Sequence, residues 1–347
     1  MTAVDGPMTP FNILCQSPVS EGSSPKEAIG NTVSMAREAD DLGYHRFWVA
    51  EHHSDDALAS ASPEILIAHL ASITKNLRIG SGGVLLPYYR PLKVAEQFNL
   101  LEALFPGRID LGIGRSGGSE GHAAQALGLK AAGGFSAVDE LLSWLGVGTE
   151  KRPFTDTFAS PRVQSTVEPW VLGTSPASAT YAGLRGLPYA FGGFLDPRGM
   201  VPALAAYHQN FRPSRWLERP RVNLAWYVQA AATEAEARAL TVSSEHWFVE
   251  TLLRGRNPRF PDPAGIVAEY SPMEQMAIAM RRQFALVGTA EQVLEGLEAL
   301  VRQTAADELT LVTIPFEHEA RLESYRLLAH ARGVPESPER LQSSGRH

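Results

Sequence analysis

The sequence predicts an α/β fold, a closed (β/α)8 TIM barrel with insertions at its C-terminal rim, and three observations carry that expectation. Apolar strand-like runs alternate with amphipathic helix-like stretches eight times along the 347 residues. Several of the runs end directly in glycine, histidine or arginine, at the strand ends where such barrels gather their chemistry. A chain of this length with 44% hydrophobic residues can also fill one large core.

Phe11–Gln16 is a short apolar run, and Pro25–Leu42 after it is amphipathic and opens with the proline that a first helical turn tolerates. Arg46–Ala50 runs into Glu51-His52-His53 and then into a second proline-opened stretch, Pro63–Thr74. Leu77–Leu86 carries a glycine cluster inside an otherwise core-like strand and leads to Pro91–Leu104. Arg108–Ile113 precedes a glycine-rich loop and Ser136–Leu145, while Pro169–Gly173 turns straight into Ser175–Arg185. Pro188–Phe194 is followed by Gly199–His208, Val222–Gln229 by the more distant Ala290–Ala305, and Glu308–Thr313 by Glu319–Arg332. Two segments break the period, 146–168 and 243–282, and both read as insertions. The second holds Arg254-Gly-Arg-Asn-Pro-Arg-Phe-Pro-Asp-Pro263, too rich in proline and glycine for regular structure, and is a candidate active-site lid. Residues 1–334 are therefore expected to form a single barrel domain, with the polar tail 335–347 disordered.

A formal net charge of −7 without a Lys/Arg-rich run argues against a general nucleic-acid surface, so a small molecule is the expected ligand. The single cysteine, Cys15, rules out an intrachain disulfide and a four-cysteine metal site. The first residues lack a basic start and an apolar signal core, and nowhere do eighteen apolar residues follow one another. A soluble cytoplasmic protein with no membrane partner is expected.

Four constellations and one aromatic pair can carry chemistry. Glu51-His52-His53 directly follows a strand; its histidines either hydrogen-bond loop carbonyls or move protons near neutrality, while metal ligation is disfavoured because adjacent histidines on extended chain point apart. Gly80-Ser81-Gly82-Gly83 marks a bulge or a close backbone approach. Gly112-Ile-Gly114-Arg115-Ser-Gly117 has the spacing of a dinucleotide fingerprint but continues as loop rather than helix, and Arg115 either pairs with Glu120 or serves a ligand. In Val171-Leu-Gly173-Thr174-Ser175-Pro-Ala-Ser178 a strand enters a helix through small hydroxylated residues, which offers an anion site beyond ordinary capping. Tyr88-Tyr89 after Pro87 is the candidate substrate wall.

In order and spacing, from about Phe11 to Ala331, these residues resemble the bacterial luciferase-like family of flavin-dependent monooxygenases, and in particular its single-subunit enzymes that tailor polyketide-type natural products. The resemblance implies that reduced flavin mononucleotide (FMN) binds at the C-terminal rim, that dioxygen is the co-substrate, and that a flavin C4a-hydroperoxide delivers one oxygen atom to a small organic substrate. Epoxidation, hydroxylation and Baeyer–Villiger insertion all remain open. It places an active-site base at His52 beside Glu51, a non-prolyl cis peptide beneath the isoalloxazine ring at Gly82-Gly83, and a phosphate grip at Gly173, Thr174, Ser175 and Ser178, with Arg115 close to the phosphate or ribityl chain. A second phosphate-binding arginine of some luciferase subunits falls near Phe135 here, a departure that suits weak, transient flavin binding. No nicotinamide site is visible, so a separate flavin reductase is the implied partner. The family often dimerises through the helices that here fall at Pro63–Thr74 and Pro91–Leu104, and a homodimer is expected. Two rivals are a deazaflavin (F420)-dependent oxidoreductase of the same superfamily and a non-catalytic flavin-binding subunit. The Glu51-His52 pair argues for a working site.

Overall fold

A computed structural model describes residues 9–115, 122–129, 134–146, 154, 156–163, 167–267 and 269–333. Its strands are β1 (Phe11–Cys15), β2 (Arg46–Val49), β3 (Arg78–Leu85), β4 (Ile109–Gly114), β5 (Glu168–Gly173), β6 (Tyr189–Gly192), β7 (Val222–Ala230), β8 (Leu286–Gly288) and β9 (Glu308–Val312). All pairings between them are parallel. β1 to β7 pair in sequence order, and β9 closes the ring between β7 and β1, giving the expected eight-stranded barrel. The ninth strand, β8, is an addition that the sequence pattern does not reveal; it pairs only with Val228–Ala230, above the part of β7 that meets its barrel neighbours.

Among the described residues twelve α-helices surround the strands: α1 (Pro25–Asp41), α2 (Pro63–Ile73), α3 (Pro91–Leu104), α4 (His122–Ala126), α5 (Ser136–Trp144), α6 (Pro176–Arg185), α7 (Met200–Asn210), α8 (Glu234–Leu240), α9 (Val242–Phe248), α10 (Pro272–Phe284), α11 (Ala290–Thr304) and α12 (His318–Ala331). Several begin where the sequence supplies its own cap. Ser24 with Glu27, Ser271 with Glu274, and Thr289 with Gln292 form reciprocal capping boxes at α1, α10 and α11. No described helix is long and apolar enough to cross a membrane. The tail 335–347 and much of the 146–168 insertion lie outside the described residues.

Alternating side chains split the apolar residues into two cores. Outward-facing positions such as Ile13, Phe47, Ile79, Leu111 and Leu224 pack under the helices. Inward-facing Leu14, Trp48, Trp170, Ala190 and Val312 fill the barrel, joined from above by Ala50, Leu58, Phe260 and Ile314. Phe260 comes from the stretch read as a lid. That stretch is pinned rather than loose: the Phe260 backbone N–H donates to Val19 O at 3.1 Å, the Phe260 carbonyl accepts from Glu21 N at 2.7 Å, and its ring stacks on Trp247 at 4.7 Å.

The opposite end of the barrel is closed by charge. Arg46, at the start of β2, donates to Asp110, Glu168 and Glu308, each at the start of its own strand. Arg78 bonds Asp110, and Arg221 bonds Glu168 and Glu308. Burial alone would raise the pKa of Asp110 and Glu308, but the arginines override it: Asp110 is lowered, and Glu308 is held at about 2. Trp170 lies above, with the Arg46 and Arg221 guanidinium groups 5.0 and 5.1 Å from its ring centre.

Candidate active site

Glu51 lies just past the end of β2, and its carboxylate is buried. One oxygen accepts from His53 Nε2 at 2.6 Å and from the Tyr89 hydroxyl at 2.8 Å, and the other accepts from the Leu85 backbone N–H at 2.9 Å. The carboxylate thus ties the end of β2 to the end of β3. Burial, then Glu51 itself, raises the Tyr89 hydroxyl, which stays a donor at neutral pH. Tyr88 meets His53 edge to face, with ring centres 5.4 Å apart.

His52 points elsewhere, as adjacent residues on extended chain must. Its Nε2 lies 2.6 Å from Gln16 Oε1, and its backbone N–H donates to Ser60 O at 2.8 Å. A carboxamide oxygen only accepts, so Nε2 carries the hydrogen and Nδ1 of the neutral ring keeps its lone pair. Burial, aided by neighbouring His53, pushes His52 down to about 4. The ring is therefore neutral at neutral pH.

The Gly82–Gly83 peptide is cis, and the β3–β4 register shifts between Ser81 and Val84, so the glycine cluster forms both the bulge and the cis link. A side chain fits at neither glycine without displacing a neighbour. A Cβ on Gly82 would lie 2.6 Å from Leu14 Cδ1, and one on Gly83 would lie 2.5 Å from Leu172 Cδ1 and 2.7 Å from Gly112 O. The result is a patch of bare backbone at the barrel mouth, with Leu172, the residue before Gly173, as its neighbour.

At the turn into α6, Ser175 is the N-cap, its Oγ accepting from Ser178 N at 3.4 Å. Ser178 is buried; its hydroxyl donates to Ser175 O at 2.8 Å and lies 3.2 Å from the Tyr189 hydroxyl. Two of the three hydroxyls therefore brace the turn, and half-buried Thr174 stands beside them. Arg115 is exposed, with its guanidinium 4.6 Å from the Phe135 ring centre, and Phe135 stacks on Tyr181 of α6 at 4.1 Å. Arg115 thus reaches the flank of α6 through two rings. Gly117 and Glu120 lie outside the described residues.

Two features escape the sequence. Gln16, partner of His52, ends the first apolar run and obeys the same strand-end rule that singles out the histidines. The other is a cleft of about 160 Å³ between the C-terminal half of β7 and α8–α10, lined by Tyr227, Thr241, Ser244, Glu245, Arg281 and Arg282 among others.

This geometry, a parallel barrel with histidines, a bare glycine pair and a capped helix start at one rim, agrees with the relatives of the chain. Residues 9–308 match the model of the luciferase-like monooxygenase family. The chain belongs to this family. Membership supports an oxidoreductase activity. A luciferase-like monooxygenase of Escherichia coli (strain K12) is 38% identical over 322 residues, covering 91% of this chain and 95% of its own. The N-acetyl-S-alkylcysteine monooxygenase of Bacillus subtilis (strain 168) is 35% identical over 335 residues, covering 93% and 98%. The crystal structure of apo-MsnO8 superposes with a TM-score of 0.86 at 36% identity, covering 94% of this chain and 98% of its own. More distant structures share the fold alone. Examples are the oxygenating constituent of 3,6-diketocamphane monooxygenase from Pseudomonas putida in complex with FMN (TM-score 0.69, 20% identity, 93% and 97% covered) and an F420-dependent secondary alcohol dehydrogenase (0.63, 15%, 92% and 98%).

Proposed function

We propose that this luciferase-like monooxygenase uses reduced FMN and dioxygen to oxygenate a small organic substrate. The observation that carries the reading is the side-chain-free backbone at Gly82–Gly83, set beside the Glu51–His53 cluster and, through Leu172, the turn into α6. With no side chain standing on either residue, the backbone itself is the surface that a flat ring would rest on. Reduced FMN, when bound, supplies with dioxygen the oxygen atom that is transferred. The residues present fit such a group: Thr174, Ser175 and the positive end of α6 would hold its phosphate, with Arg115 adding charge and Gly173 and Ser178 shaping the turn. His52 Nδ1 is the atom at which a proton is taken up, and Gln16 fixes its tautomer. Glu51 is a positioning residue, because both its oxygens hold neighbours. Tyr88 and Tyr89 form a wall of the substrate site. Leu14, Trp48, Phe194, Phe260 and Ile314 keep the mouth apolar and exclude water.

The FMN-bound relative, described as an oxygenating constituent, supports both the cofactor and a separate reductase as its supplier. The Bacillus subtilis relative supports a small organic substrate. His52→Ala, assayed with reduced FMN, oxygen and candidate substrates by product mass analysis, is expected to lose oxygenation about 10²–10⁴-fold while FMN binding is unchanged. Full activity in that variant would remove His52 from the chemistry. Tighter binding of F420 than of FMN would replace oxygen transfer by hydride transfer. We also propose a homodimer through α2 and α3, which leave Ile65, Leu100 and Leu104 67%, 53% and 57% exposed. A monomeric mass at micromolar concentration would contradict it.

A further inference from the structure

Arg281 on α10 differs from the arginines around it. Its half-buried guanidinium lies over the rings of Tyr227 and Phe248, 5.6 and 4.9 Å from their centres. Among the described residues it has no hydrogen-bond or ion-pair partner. Neighbouring Arg282 makes two hydrogen bonds to Glu245, at 2.7 and 2.6 Å, and Arg238 makes two to Glu234, at 3.0 and 2.7 Å. Glu245, the carboxylate in the cleft, is thus committed to Arg282 and to Thr241. The Arg281 guanidinium is left without a hydrogen-bonded counter-ion: burial lowers it from its ordinary value, and the fields of Tyr227 and Glu245 offset that only in part.

Tyr227 shares its face of β7 with Asn223, which accepts from Thr310 inside the barrel, so the β7 wall of the cleft belongs to the inner face of the sheet. The hydroxyls there are already used. Ser244 donates to Thr241 O at 2.9 Å, and Tyr227 lies 3.0 Å from Ser244 Oγ, so Arg281 supplies the guanidinium whose whole fork is unspent.

We infer that this cleft is a binding subsite for a small organic carboxylate, anchored by the Arg281 guanidinium between β7 and α10. A carboxylate matches the planar fork of arginine and carries the single charge that Arg281 lacks. A phosphate dianion would bring a second charge toward Glu245 and is disfavoured. The cleft of about 160 Å³ admits a ring or short chain behind the carboxylate. The inference stands apart from the flavin reading, because binding is read without flavin.

The probe is benzoate, with uncharged benzamide as its shape control, titrated into the full chain by calorimetry. Benzoate is expected to saturate and to bind at least tenfold more tightly than benzamide. Arg281→Gln should abolish that preference and Arg281→Lys should retain part of it. Melting curves check that both variants fold, and a variant relieved of an unpaired charge should melt no lower than the parent. In turnover with the parent chain, competitive inhibition by benzoate assigns the carboxylate to the substrate, and noncompetitive inhibition assigns it to a separate ligand. Equal binding of benzoate and benzamide to the parent, or an undiminished preference in Arg281→Gln, would overturn the proposal.

Discussion

At the floor of the barrel three arginines, Arg46, Arg78 and Arg221, meet three carboxylates, Asp110, Glu168 and Glu308, and every charge has a partner. At the mouth Glu51 takes hydrogen bonds from His53, Tyr89 and the Leu85 backbone N–H, and His52 bonds the carboxamide of Gln16, so these bonds join imidazole, phenol, amide and carboxylate. The floor has permanent ions whose desolvation is offset by mutual attraction, so its contribution is to hold the strands in register. The mouth has groups whose charge is conditional, and only such groups can move protons. On the function proposed above, one fold separates stability from chemistry along its strand axis.

The sharpest way to break this contrast is to unpair the floor. Arg46→Met strips Asp110 and Glu308 of their shared partner and should cost about 3–5 kcal/mol of unfolding free energy in urea titrations. A loss under about 1 kcal/mol would mean that the floor ions are not what holds the strands. Gly83→Ala at the mouth puts a methyl group against Leu172 and the Gly112 carbonyl, and should cost about 1–3 kcal/mol. FMN affinity should fall with it, and unchanged affinity would separate the glycine pair from the flavin site.

Acid should take the two ends apart in separate windows. His52 sits at about 4 when folded against an ordinary 6.5, so the unfolded chain takes up its proton first. That stability is present above about 6.5 and is lost as pH falls toward 4. Glu308, held at about 2 against an ordinary 4.5, contributes stability that is lost only below 4.5. His52→Asn should flatten the upper window and leave the lower one intact; His45 and His318, also lowered by burial, account for the slope that remains. A variant that loses slope equally in both windows would refute the separation. The smallest effect is at α6, where Ser175→Ala removes the cap at a cost of about 1 kcal/mol. Combined with Ser178→Ala it should weaken FMN more than riboflavin, and equal weakening of both would show that the phosphate is held elsewhere.

The eight barrel strands are legible as apolar runs because strands buried on both faces have few polar positions. β8 is not, since Leu286–Gly288 has three residues and Gly288-Thr289 reads only as the capping turn of α11. α9 and α10 are hidden by the proline and glycine content between them. The Glu51–His53 cluster and the glycine pair are legible because strand-end chemistry is local. Arg281 is not, because Arg281-Arg282 on an amphipathic helix reads as a solvated face, and only the fold brings Tyr227 and Phe248 beneath one of the pair. The floor is equally hidden: Arg46 and Glu308 bond across 262 positions, each a lone charge at a strand start.

Phe260 gives the rim a mechanical character of its own. A segment paired to Val19 and Glu21 on one side and stacked on Trp247 on the other cannot swing as a hinge. To lift, it must break two backbone hydrogen bonds and wet an aromatic pair in the same event, which is local unfolding. The amide protons of Glu21 and Phe260 would then exchange with solvent together, at one rate set by that opening. Traffic through the barrel mouth is limited either by that rate or by side chains alone.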